Sequence, residues 1–188
     1  MDTQIRGLHH VTAITSSAEK NYRFFTDILG LRMIKKTVNQ DDIETYHLYF
    51  TDDTGAPGTD MTFFDFPQIP KGTKGTNSIS RTGFRVPTDA SLEYWAQRFT
   101  DLAVDHGEIK ERFGKKYLEF HDYDDQLFQL VSDEKNQGVA GGTPWKNSNV
   151  PAEHAIFGLG PTIVTVAKFD HLKLVLENLL GFKETAAE

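Results

Sequence analysis

Asp27-Ile28-Leu29-Gly30-Leu31-Arg32 closes a helical pattern and opens an extended one. The phrase returns as Asn178-Leu179-Leu180-Gly181-Phe182-Lys183, 151 positions later. A further helical pattern, Leu92 to Ala103, lies midway between them. The chain therefore carries a repeat unit of about 75 residues, and a repeat has to be recognised before single elements are read. In the first phrase Gly30 fits the left-handed residue that ends a helix. The unit begins three times and completes twice, since the third start reaches Glu188 just after its helix.

Working outward from Gly30, Leu8 to Ile14 reads as a strand. Ser16 or Ser17 can cap the helix that follows, although Lys20 stands where a capping box would place Glu. Tyr22, Phe25, Ile28 and Leu29 give that helix a buried face at helical spacing. Three extended runs come next, Leu31 to Val38, Ile43 to Thr51 and Thr59 to Phe66, the last two separated by the turn Asp52 to Gly58. A loop with Pro67, Pro70, Gly72 and Gly75 leads to a second round. It comprises a strand Ile79 to Val86, a helix capped by Thr88 or Asp89, and strands Glu108 to Phe113, Lys116 to His121 and Leu127 to Val131. The helix stripe is Leu92, Trp95, Ala96, Phe99, Leu102 and Ala103.

The order predicts an α+β protein of paired βαβββ modules, residues 5–67 and 77–132, forming one domain over 5–132. Their helices are expected on the outer faces of mostly antiparallel sheets whose inner faces curl into a cup. Residues 133–155, rich in Gly, Asn and Pro, read as a linker. An incomplete third module, 156–188, supplies a strand at Pro161 to Val166 and a helix from about Lys168 to Leu180. Its stripe Leu172, Val175, Leu176, Leu179 and Leu180 has no complete sheet to cover. That surface is expected to fold back, stay loosely ordered, or pair with a second copy as a homodimer.

The 188 residues have 38% apolar and 25% charged side chains, a globular balance. A net charge of −7 argues against a nucleic-acid partner, which needs a basic face. There are no cysteines, which removes disulfides, thiolate metal sites and thiol nucleophiles together. No apolar run approaches the roughly 20 residues of a membrane span, and Met1 to Gly7 does not read as a leader. The expectation is a soluble cytoplasmic protein.

His9 and His10 lie at the start of the first strand, where period-2 alternation sends them to opposite faces, so one of the two can enter the cup. A strand histidine is also commonly a hydrogen-bonded structural residue. A mononuclear oxygen-activating iron site wants two His and one carboxylate on one side of the metal. His47 can share the cup. Met61-Thr62-Phe63-Phe64 brings no carboxylate before Asp65, the second unit opens with Ser80-Arg81-Thr82-Gly83, and it closes on the neutral Gln129. No complete triad is readable, and no catalytic residue stands out. His106, His121, His154 and His171 read as surface, capping or linker residues. The run Gly138 to Gly142 lacks the strand and helix of a phosphate loop.

Gly7-Leu8-His9-His10-Val11-Thr12, Tyr46-His47-Leu48-Tyr49-Phe50, Gly58-Thr59 with Thr62-Phe63-Phe64, and Pro151-Ala152-Glu153-His154-Ala155 together resemble the vicinal oxygen chelate superfamily. That superfamily includes glyoxalase I, the fosfomycin- and bleomycin-resistance proteins and the extradiol dioxygenases. The resemblance covers essentially the whole chain and points to bacterial ring-cleaving dioxygenases of hydroquinone-type substrates. It implies four modules in about 300 residues and an Fe(II) or Mn(II) centre, with one His from the first module and a His and a Glu from the fourth. The first ligand matches His10, and the other two would lie beyond Glu188. Thr12, with the parity of His10, is then a lining residue, while His47, Tyr49 and Thr62 supply hydrogen bonds around the site or pack across strands. A small aromatic substrate and O2 are the implied partners. Two other readings stand beside this one. One is a metal-free small-molecule binding module. The other is a glyoxalase-like lyase or isomerase, which would want a His near Arg81 and carboxylates near Thr62 and Gln129.

Overall fold

A computed structural model describes residues 5–135 and 139–187. Gly138 of the glycine run, Met1 to Gln4 of the N-terminal stretch and Glu188 lie outside the described residues. The first module contains β1 (His10–Thr15), α1 (Ala18–Tyr22), β2 (Arg32–Val38), β3 (Tyr46–Thr51) and β4 (Asp60–Asp65). The second contains β5 (Ser78–Val86), α2 (Asp89–Asp101), β6 (His106–Arg112), β7 (Lys115–His121) and β8 (Leu127–Ser132). A third round opens with β9 (Leu159–Thr165) and α3 (Phe169–Asn178). The α+β class and the twice-completed βαβββ order are as expected. Among the described residues no helix is long and apolar enough to cross a membrane.

Local chemistry accounts for the helix starts. Ser17 is extended and its side chain accepts the Lys20 amide at 3.4 Å; Thr88 does the same for Ser91 at 3.2 Å. One departure alters the buried face of α1. The helix continues as a π-helical turn over Arg23–Ile28. The wider turn rotates the side chains, so Phe24, Phe25, Thr26 and Leu29 are buried while Tyr22, expected inside, is 39% exposed. In α2 the stripe ends at Phe99, because Leu102 caps the helix and Ala103 turns left-handed at φ 53°.

The strands fall into two mixed sheets. β1-β4-β3-β2 form a four-stranded sheet and β6-β7-β8-β5-β9 a five-stranded one. Within each module the first and last strands pair in parallel, and the other pairs are antiparallel. The π-helical turn sits between the two sheets. The Phe25 ring lies 5.1 and 4.7 Å from Phe50 and Phe63 of one sheet, and 6.4 and 5.7 Å from Phe84 and Phe128 of the other. These rings and the buried stripe of α2 form one continuous core. Such contacts are worth more than area alone, because tilted aromatic pairs align their quadrupoles.

β9 pairs antiparallel with β5 rather than extending the first module. The approach is close, since a Cβ at Gly83 would lie 2.5 Å from the Pro161 carbonyl oxygen. β5 therefore has neighbours on both sides, β8 and β9, whereas among the described residues β1 has only β4. Residues 139–158, within the stretch read as a linker, form a strap bonded to both modules. The Thr143 amide donates to Asp52 at 2.8 Å, Asn149 Nδ2 donates to the Asp27 carbonyl at 2.7 Å, and Val150, Ala155 and Ile156 are buried. Arg85, itself buried, holds the strap by donating to the Val139 carbonyl at 2.8 Å and to Asp133 at 3.3 Å. Of the expected α3 stripe, Val175, Leu179 and Leu180 are exposed while Leu172 and Leu176 are half-buried; Leu174, on the other side of the helix, is exposed.

Candidate functional site

On β1, Val11 and Thr15 face the core while His10, Thr12 and Ile14 face away from it, as alternation requires. Parallel pairing sets these three against Asp60, Thr62 and Phe64 of β4. Antiparallel pairing then sets Thr62 against Tyr49 and Phe64 against His47 on β3. The open face of the first sheet thus gathers an imidazole, a carboxylate, two hydroxyls, a phenol, a second imidazole and an aromatic wall.

The Thr62 hydroxyl donates to Thr12 at 2.9 Å. Tyr49 Oη lies 2.8 Å from His47 Nδ1, and the His47 ring stacks 4.1 Å from Phe64. Lys35 on β2 sits 5.3 Å over the Tyr49 ring. Burial lowers the His47 pKa, and the charges of Lys35 and His10 lower it further. Burial also raises Tyr49 and Asp60, the latter opposed by the nearby His10 and His9. Two buried atoms on these residues, His47 Nε2 and Asp60 Oδ1, have no hydrogen-bond partner among the described residues. An unpaired buried polar atom costs about 1–3 kcal/mol, so a face that keeps two has a use for them.

The sequence-derived set His10, Thr12, His47, Tyr49 and Thr62 is therefore brought together on one face. Asp60 joins it and was missed, because the search for a carboxylate began at Met61; its one signal was even spacing from Thr62. The alternation argument does not apply to His9, which precedes β1, and its Nδ1 lies 3.2 Å from that of His10. The other histidines are elsewhere: His106 on Thr100 at 3.0 Å, His121 3.4 Å from Asp105, and His154 stacked 4.4 Å from Tyr94, while His171 is exposed on α3.

The matching face of the second sheet holds Arg81 paired with Glu119, Gln129 in register with Glu119, and Gly83 under Pro161. None of the positions Arg81, Gly83 and Gln129 is a histidine, and His121 of the same face lies at the end of β7 against Asp105. Among the described residues no group of three His, Asp or Glu could hold a metal ion. His10 and Asp60 stand opposite each other in the β1–β4 register, but the described residues do not complete a metal site.

Residues 7–130 match the family model of the Glyoxalase/Bleomycin resistance protein/Dioxygenase superfamily. The chain is 43% identical over 185 residues to a Bacillus subtilis (strain 168) protein assigned as a ring-cleaving dioxygenase, MhqA, covering 98% of this chain and 58% of that protein. It is 31% identical over 183 residues to chlorohydroquinone/hydroquinone 1,2-dioxygenase of Sphingobium indicum, covering 96% of this chain and 56% of that protein. A crystal structure of a Bacillus subtilis protein described as a dioxygenase superposes with a TM-score of 0.89 at 33% identity, over 98% of this chain and 58% of that one. The chain thus spans somewhat over half the length of these relatives. The match over both βαβββ modules, together with a relative sharing the whole arrangement, establishes that the chain belongs to the glyoxalase/bleomycin resistance/dioxygenase superfamily.

Proposed function

We propose that this chain is the part of a ring-cleaving dioxygenase that supplies the first metal ligand and one wall of the substrate site, the substrate being a hydroquinone-type ring opened with O2. The observation that carries the reading is the open face of the first sheet: His10 and Asp60 in register at its β1 side, with buried atoms of Asp60 and His47 left unpaired. Resemblance to a hydroquinone 1,2-dioxygenase supports the substrate class. The free edge of β1 supports the architecture. β5 is completed by β9, so a corresponding strand beside β1, from residues beyond these 188, would carry further ligands to His10.

In this reading His10 holds Fe(II) or Mn(II) together with those further ligands. The metal, when bound, supplies a template for ring oxygens and dioxygen. The chain's own residues do the rest. Asp60 Oδ1 accepts a hydrogen bond from a ring hydroxyl, Tyr49 and His47 orient the opposite side of the ring, and Phe64 and Ile14 keep water from it. The binding-module reading shares this face but needs no metal. A lyase site built from the two modules of this chain is disfavoured by Arg81, Gln129 and the close cover of Pro161. A cytoplasmic location belongs to the same proposal, supported by a cysteine-free sequence.

The test uses a protein that contains this chain and the remaining length of its relatives. Metal content and oxygen uptake with hydroquinone are measured for wild type, His10→Ala and Asp60→Asn. The expected outcome is loss of tightly held divalent metal and of ring opening in His10→Ala. Asp60→Asn keeps its metal and loses about 10- to 100-fold in kcat. A wild-type protein that binds no divalent metal while taking up the aromatic ring would favour the binding module instead.

A further inference from the structure

At the far edge of the same sheet from His10, Tyr22, Thr26, Arg32, Met33, Asp53, Trp145, Lys146 and Asn147 surround a second cleft of about 380 Å³. The strand order β1-β4-β3-β2 puts it three strand spacings away, about 14 Å. The volume is in the range of single-ring ligands. Three elements build it. The π-helical turn contributes Thr26, β2 and the turn after β3 contribute Arg32 and Asp53, and the strap contributes Trp145 to Asn147.

Two buried atoms of the lining lack a hydrogen-bond partner among the described residues: Thr26 Oγ1, on a residue only 6% exposed, and Asp53 Oδ1, whose one near charge is Arg32. A threonine inside a regular helix usually returns its hydroxyl to a carbonyl one turn back. In the π-helical turn no such bond is made among the described residues, and the hydroxyl stays unpaired on a residue that lines the cleft. Arg32 Nη1 donates to the Asp53 carbonyl and lies 4.0 Å from Asp53 Oδ1. One charge of the Arg32–Asp53 pair cancels the other, so Lys146 leaves the lining with one net positive charge. The cleft therefore asks for a negative group for Arg32 and Lys146, a hydroxyl able to donate to Asp53 Oδ1 and meet Thr26, and a flat apolar body beside Tyr22, Met33 and Trp145.

We propose that this cleft binds a small hydroxylated aromatic carboxylate as a monoanion, at a site separate from the face that carries His10. Water could satisfy Thr26 and Asp53, but it makes no use of an aromatic wall beside a net cation. The location suits regulation or retention of an aromatic acid, because the strap carrying Trp145 also crosses to the second module through Asn149, which accepts from Arg98 at 2.8 Å.

The probe is 4-hydroxybenzoate, titrated into the chain while indole fluorescence and amide shifts of Thr26 and Asn147 are followed. Trp95 is fully buried, so a fluorescence response reports on Trp145. Saturable binding is expected, weakened about tenfold by Arg32→Gln with Lys146→Gln, about threefold or more by Thr26→Val, and unchanged by His10→Ala. Phenol, which lacks the carboxylate, is expected to bind at least tenfold more weakly. The proposal is overturned by either of two results with folded protein. One is no saturation up to about 10 mM; the other is binding that ignores the Arg32/Lys146 pair and is lost in His10→Ala. The second result would place the probe on the sheet face and leave the dioxygenase reading standing.

Discussion

Gly30 and Gly181 hold the same place in a repeated phrase, yet their surroundings differ. Both are left-handed, at φ 74° and 69°. A Cβ at Gly30 would stand 2.3 Å from Ser148 Oγ and 2.8 Å from Val150 Cγ2, whereas at Gly181 nothing lies within 4 Å. Gly181→Ala is expected to cost about 1 kcal/mol from backbone strain alone. Gly30→Ala should cost about 3 kcal/mol or more, because the strap must also move. Equal losses by urea unfolding would mean that the strap does not hold Gly30 as described. Asp122 carries the second residue-level expectation. Burial pushes its carboxyl up to about 7, although the Asp124 and Gln126 amides, each at 2.9 Å, favour the charged form. The neighbouring charges of Asp124 and Asp125 push the same way as burial. The ordinary value is 3.8, so between these limits the folded chain keeps a proton that the unfolded chain has released. The contribution of Asp122 to stability is then largest at low pH, falls as pH rises from about 4 to about 7, by up to about 4 kcal/mol, and is flat above. Asp122→Asn keeps an acceptor for the two amides and should lose that slope. Parallel stability curves for the two proteins from pH 5 to pH 8 would refute the assignment.

Among elements, strand and helix positions were legible to within a few residues, because alternation, helical stripes and turn glycines are local signals. What local signals do not carry is the identity of a strand's neighbour. Nothing in Leu159–Thr165 says that it pairs with β5 rather than with the first module, since either sheet would accept an extended apolar run. The same limit hid Asp60, whose importance comes from its parallel register with His10 across fifty residues of chain. It also hid the strap, which has no period because its bonds go to other elements one residue at a time. The π-helical turn was hidden for a different reason: its stripe was read at 3.6 residues per turn, and Tyr22 fell on the wrong side. The β5–β9 contact gives the expectation at this scale. Gly83→Ala places a methyl against the Pro161 backbone, which cannot rotate aside, so a loss of more than about 2 kcal/mol is expected. Backbone amides of β9 should exchange with solvent faster than in wild type, while those of β3 keep their protection. Gly107→Ala is the control, since its nearest neighbour is 4.0 Å away. Unchanged β9 protection in folded Gly83→Ala would show that the strand is not seated where the structure puts it.

At the scale of the molecule, the three rounds of the repeat are unequal in what their helices cover. The first two helices bury Phe24, Phe25 and Leu29, and Leu92, Trp95 and Phe99, at the shared core. Along α3 and the turn after it, Phe169, Leu174, Val175, Leu179, Leu180 and Phe182 are between 41% and 77% exposed. Six exposed apolar side chains within fourteen residues are many for a surface in water. Burying it against a like surface removes apolar area at about 25 cal/mol per Å² and leaves the core untouched. The expected outcome is that this chain by itself self-associates, sedimenting near twice its 21.2 kDa at concentrations around 50 µM. Leu174→Asp with Leu179→Asp should return it to a single-chain mass without loss of thermal stability, because neither residue touches the core. In a protein with the full length of its relatives, residues beyond these 188 would compete for the same face. The double variant would then lower stability instead of changing mass, which separates a surface used between copies from one used within the chain. A wild-type chain that sediments as a single copy, with the α3 amides protected from exchange, would show that the helix has found cover on its own protein and would remove the case for pairing.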